Sequence, residues 1–333
     1  MHIQLRTTQK LTGLLLTLVL LLSALPTSPA FAAAPLKIGY SDWPGWVAWQ
    51  VALEKGWFKE AGVEVKFEWF DYSASMDAFS AGKLDAVNVT NGDALVLGAS
   101  GAKSAIILVT DYSNGNDMIV AKPGITSLKG LKGKKVGLEY GLVEHLLLLN
   151  GLQKAGMKES DVTLVKAPTN ELPQVLSSAD IAAVGAWQPV SGTAMQQSPG
   201  AKAIYTSADE PGLIYDVLAV NPVNLAARRA DWVKVIKVWY RVISYINDPK
   251  TRSDAVSIMA ARVGLTPAAY LPLLGGTKIL SQEEIKKTFI KADGFKSIYG
   301  SSKIVDSFNV KYDIYKKPQD IDKAIDPSLT NAM

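Results

Sequence analysis

Apolar and polar positions alternate along this chain so that short strands and short helices take turns. Residues 36–40 read as a strand, and Pro44 with Gly45 then interrupts any regular pattern before a helix over 47–55. Residues 63–69 alternate as a second strand, while 84–89 and 105–109 are apolar enough for buried strands. A further strand is expected over 118–121, with Pro123 and Gly124 closing this first unit. Short helices fit 75–81 and 94–98, and Asp93 in the Asn91-Gly92-Asp93 turn is the simplest cap for the second.

The second unit is centred on 136–145, a buried strand, a turn bracketed by glycines and a helix running through 146–152. Strands at 162–165, 181–186, 203–206 and 215–220 follow, with a short helix at 171–177. From 225 onward the pattern is helical, over 225–246, 252–263, 268–274 and 282–295. Such alternation predicts an α/β fold with mostly parallel sheets. Ligands in these folds lie beyond the carboxyl ends of strands. There stand Trp43, Asn91, Asp111, Glu139, Trp187 and Asp216, which predicts one shared crevice.

The N-terminus changes the picture of where the protein works. Arg6 and Lys10 precede an apolar run at 11–25, then Pro26 and Ala30-Phe31-Ala32. A basic start, an apolar core too short to span a bilayer and a small-residue exit predict a secretory leader, 1–32, cleaved near Ala32. The mature protein is then expected to be exported, with no direct membrane insertion. Cleavage removes two basic residues and no acids, taking the net charge from +4 to +2, and no basic cluster points to nucleic acid. With no Cys and only His145 left, neither a disulfide, a zinc site nor a cofactor is expected. His145 is expected to pack or bond backbone behind its turn, not to serve a catalytic triad.

Several segments together resemble the nitrate, taurine and aliphatic-sulfonate family of periplasmic substrate-binding proteins of ABC importers. They are Glu54-Lys55-Gly56-Trp57-Phe58, Gly62-Val63-Glu64-Val65, Ala81-Gly82-Lys83-Leu84-Asp85, Leu131 to Gly137, and Ala182 to Pro189 with its Trp187-Gln188-Pro189 corner. The resemblance implies a two-lobed fold of the type II kind, with two strand connections between lobes and the ligand in the interlobe cleft. Lobe one would be 35–122 and 217–333, lobe two 123–216, with the chain crossing near Lys122 and Val217. It also implies a monomer that closes by a hinge around a small solute and presents it to a membrane permease.

One departure from the family decides the expected ligand. Members that bind sulfonate or nitrate tend to carry Ser or Thr in the turn that here reads Glu139-Tyr140-Gly141-Leu142, with Glu144 one turn on. A carboxylate beside a helix N-terminus repels an anion and favours a cation. The expected ligand is therefore a small planar nitrogenous cation such as guanidinium. Glu139 and Asp111, with Glu144, would accept its N–H donors. Trp43 and Trp187 would cover its faces, Asn91 would add an amide, and Ser41, Trp46, Tyr140 and Asp216 complete the candidate set. Asp117 is expected to order its own loop. The alternatives are a sulfonate, taurine or nitrate binder, with both glutamates turned away, and an enzyme resembling thiamine-pyrimidine synthases, which lacks the expected cysteines and histidines. A receptor docking to a sensor protein is a third.

Overall fold

The computed structural model describes residues 34–333; the expected leader, 1–32, lies outside them. The chain folds into two lobes, each built on one mixed sheet. The strands are β1 (Leu36–Tyr40), β2 (Val65–Trp69), β3 (Ala86–Thr90), β4 (Ala105–Ser113), β5 (Asp117–Ala121), β6 (Lys135–Leu138), β7 (Thr163–Lys166), β8 (Ile181–Trp187), β9 (Lys202–Thr206), β10 (Tyr215–Val220) and β11 (Thr277–Ile279). The first sheet has the order β11-β4-β10-β3-β1-β2 and the second β7-β6-β8-β5-β9.

Both sheets are less parallel than expected. β1 pairs in parallel with β2 and β3, as β6 does with β7 and β8. β10 runs antiparallel between β3 and β4, and β5 runs antiparallel between β8 and β9. The antiparallel strands are those that enter a sheet from the other lobe: 114–116 join β4 to β5, and 207–214 join β9 to β10.

This also moves the lobe boundary. The strand expected to close the first unit, 118–121, belongs to the second sheet, so the chain crosses at 114–116 and not near Lys122. It returns within 207–214, before Val217. The two crossings are tied together: the Ser113 and Ser207 hydroxyls meet at 2.6 Å, and Gly115 N–H donates to Ser207 Oγ at 2.7 Å.

Four helices position the site: α1 (Asn91–Ala99), α2 (Val143–Lys154), α3 (Arg229–Asn247) and α4 (Ile298–Lys311). α3 buries Trp232, Val235, Ile236, Trp239, Val242, Ile243 and Ile246, the spacing of one helical face. Burying each such side chain contributes roughly 1.5–3 kcal/mol. Trp239 packs on Trp49 at 4.5 Å between centroids, and Trp49 Nε1 donates to Asn88 Oδ1 of β3 at 3.1 Å. β11 and α4 were not expected. The helix expected over 282–295 stops at Thr288, and α4 starts from a Ser297 cap after Asp293-Gly294 has broken the pattern.

Candidate functional site

The carboxyl ends of β1, β2, β6, β7 and β8 supply a narrow crevice between the lobes, as the strand-end rule requires. Ser41, Asp42, Tyr72, Glu139, Thr169 and Trp187 are among its lining, and among the described residues no Lys or Arg lines it. Trp187 Nε1 donates across the lobes to Asp42 Oδ1 at 3.0 Å, and the Trp187 ring meets that of Tyr72 edge-on at 5.1 Å. Tyr72 in turn stacks on Trp46 at 5.4 Å. Thr169 Oγ1 donates to Glu139 Oε2 at 2.9 Å.

Behind this aromatic wall lies a cluster of carboxyls. Tyr72 Oη donates to Asp93 Oδ2 at 2.6 Å, so the crevice wall and the cluster share a hydrogen bond. Burial pushes Asp93 up to about 7, against the hydrogen bonds from Tyr72 and Thr90; the nearby charge of Glu139 raises it further and the Val143 N–H of α2 lowers it. Asp93 is not the helix cap; Thr90 is, accepting from the Asp93 N–H at 3.1 Å.

Glu144, the second residue of α2, is completely buried, and among the described residues neither of its oxygens reaches a donor on another residue. It lies over Gly185 of β8, where an added Cβ would come within 3.1 Å of Glu144 Cβ. Burial holds its carboxyl well above the usual range, and the charges of Asp117, Glu139 and Asp93 act in the same direction. Asp117 opens β5 opposite Trp187; its Oδ2 has no hydrogen-bond partner, and burial pushes it up to about 7 despite the Ser113 hydroxyl. Asp216 of β10 stands opposite Asp111 of β4 with their carboxyls in contact. Burial and the Asp111 charge hold Asp216 well above its usual range. Asp111 is raised to about 6 by burial, offset by donors from Trp43 Nε1 at 2.9 Å and Thr110 Oγ1 at 2.8 Å.

Of the expected site residues, the structure brings Ser41, Glu139 and Trp187 to the crevice and sets Trp46, Glu144 and Asp216 behind it. Three expectations are corrected. Asn91 does not offer its amide to the cleft: Nδ2 donates to Ser301 and Ser302 of α4, and Oδ1 accepts from the Tyr215 N–H. Asp111, with Trp43 bonded to it, is a brace, since both of its oxygens already accept donors. Tyr140 turns away: it is 39% exposed, sits on the His145 ring and lies under Lys166 Nζ at 3.8 Å. His145 takes the Gly141 N–H on Nδ1 and meets Glu159 through Nε2, behind the turn. Asp42 and Tyr72 were missed. The signal for Asp42 was its place directly after β1; Tyr72 had none, being one aromatic at the start of an ordinary helix. Asp117 was read as a loop residue because the crossing to the second sheet was placed too late. Among the described residues, no group of three or more His, Cys, Asp or Glu is arranged to hold a metal ion.

A family model described as the NMT1-like family matches residues 31–260 of this chain. A protein of Brucella abortus (strain 2308), provisionally named a binding protein, is 32% identical over 196 residues; the match covers 58% of this chain and 60% of that relative, less than two thirds of its length. The solved structure of the alkanesulfonate-binding protein SsuA from Xanthomonas axonopodis pv. citri, bound to MOPS, superposes with a TM-score of 0.72 at 15% identity, covering 88% of this chain and 98% of that one. The periplasmic nitrate-binding protein NrtA from Synechocystis PCC 6803 does so with a TM-score of 0.71 at 11% identity, covering 90% and 87%. At these identities the likeness to the solved structures is one of fold.

Proposed function

Since the chain belongs to the NMT1-like family, we propose that it is an exported, periplasmic solute-binding protein that hands a small planar nitrogenous cation, guanidinium-like, to the permease of an ABC importer. The single observation that carries the sign of the ligand is Glu144, fully buried and without a donor from any other residue. A buried carboxyl without a partner is held protonated, and a cation that donates N–H bonds to it favours the carboxylate instead. An anion would oppose that ionisation. Asp93 supports the same reading, because a carboxylate of the protein already receives help from the first N–H of α2, the place that would otherwise attract an anion.

The aromatic groups around the crevice, Tyr72, Trp46 and Trp187, suit a flat delocalised cation. Charge-assisted hydrogen bonds contribute about 1.5–3 kcal/mol each, so three or four of them are compatible with an affinity of about 1 μM after ordering costs. Closure would turn on 114–116 and 207–214, and the protein would act as a monomer without catalysis. The names of the solved relatives favour a second reading, an alkanesulfonate or nitrate ligand. It requires the carboxyls to be protonated and to donate.

Calorimetry with guanidinium, taurine and nitrate, run on the protein and on Glu144→Gln, separates the two. Guanidinium binding that is lost in the variant supports the cation. Taurine or nitrate binding that survives or improves in Glu144→Gln overturns it.

A further inference from the structure

Among the described residues, burial and neighbouring acids are the strongest influences raising the carboxyl cluster. Glu144 on α2 faces Asp117 at the start of β5, Glu139 at the end of β6 and Asp93 on α1. Asp216 on β10 faces Asp111 on β4, Asp117 and Asp93. Asp117 faces Asp111 and the Ser113 hydroxyl, and Asp93 faces the Tyr72 phenol and the Thr90 hydroxyl. Among the described residues, no Lys, Arg or His is among the strongest influences on any of these four. His145, next in the chain to Glu144, is turned to Glu159, and Lys166 lies over Tyr140.

Register shows why the acids cannot avoid one another. Asp117 pairs with Trp187 and Ile119 with Gly185, so alternate positions of β5 and β8 put Asp117, Trp187 and the Glu144 resting on Gly185 on one face of the second sheet. Asp216 is held between Thr90 and Asp111 in the first sheet. Buried carboxyls this close, with no counter-charge, are neutralised by protons.

We propose that the site trades protons for its ligand, so that capture of one monovalent cation expels about one proton from the group formed by Asp117, Glu144 and Asp216. This rests on the cation reading. The exchange makes capture tight at neutral pH and weak in acid, and it gives an anion the opposite dependence. Burial places Asp117 at about 7 and holds the other two well above the usual carboxyl range, so the empty site is protonated through mild acid. Each step down in pH by one, from about 7 to about 5, then weakens guanidinium binding about tenfold.

The test is calorimetry of the purified protein with guanidinium chloride at pH 6, in buffers of different ionisation enthalpy, where the slope of observed heat against buffer heat counts protons. Release of about one proton, reduced in Asp117→Asn, is expected. Wild-type data alone decide the matter if the variant fails to fold. Guanidinium binding with no proton release, and with affinity flat from pH 5 to 7, overturns the exchange and leaves the cation reading standing. Absence of guanidinium binding at every pH from 5 to 8, or proton uptake with taurine or nitrate, overturns both.

Discussion

Trp187 Nε1 donates to Asp42 Oδ1 at 3.0 Å, joining the end of the second sheet's β8 to the loop after β1 of the first. Asp42 is half-buried, and loss of water around its carboxyl raises it to about 6, with the Trp187 bond the largest influence holding it down. The bond is thus a latch between lobes. Asp42→Ala removes its acceptor and leaves the indole N–H unsatisfied, a cost of about 1–3 kcal/mol. Small-angle scattering should show the variant more open without ligand, and ligand affinity should fall by about tenfold.

The unliganded protein should be most stable in mild acid. Asp42 moves from 3.8 to about 6, and Asp93 and Asp117 from 3.8 to about 7. A carboxyl raised in the folded state contributes stability that is fully present below 3.8 and is lost as pH rises through its folded value. For Asp42 alone that loss is about 3 kcal/mol, spent between about 4 and 6. Thermal melts should fall steadily from pH 4 to pH 7, and a melting temperature that climbs over that range would contradict the account.

Glu144→Gln should stabilise the unliganded protein while removing binding. The amide cannot ionise, and it can donate to Asp117 or Glu139, whose charges act on Glu144. A gain of about 1–2 kcal/mol at pH 8, shrinking towards pH 5, is expected from chemical denaturation.

Gly45→Ala should damage the brace under the first tryptophan. A Cβ at Gly45 would stand 2.2 Å from Asp111 Oδ2, so the carboxyl or the backbone must move, and the Trp43 bond with it. The expected loss is about 1–3 kcal/mol, and it should be partly recovered in the Gly45→Ala, Asp111→Ala double variant.

Asn91→Ala separates a structural role from a ligand contact. Its amide ties α1 to Ser301 and Ser302 of α4 and to the Tyr215 N–H of β10. Stability should fall by about 1–3 kcal/mol. The ligand dissociation constant, measured on the remaining folded protein, should change less than about threefold.

Much of the lobe architecture was legible because strand and helix periods are local. Val136, Gly137 and Leu138 read as a strand wherever they are packed, and the face of α3 is written in its own spacing. The three-residue β11 was not, since it takes its pairing from β4, far away in the chain. Nor was the membership of β5. Nothing in Met118 to Ala121 distinguishes a strand that closes one sheet from one that enters the next.

The sequence by itself determined the α/β class and the recurrence of acids and tryptophans at strand ends, because short-range pattern dictates both. It also determined that an acid would stand at the head of α2. Only the tertiary structure decided which acids are braced and which lack donors. Asp111 and Asp216 meet because β10, from the far half of the chain, inserts antiparallel between β3 and β4. Glu144 lacks a donor because Gly185 of β8 leaves room for it over the second sheet and supplies none. Those contacts are long-range, and burial turns them into charge energies that no local pattern of residues records.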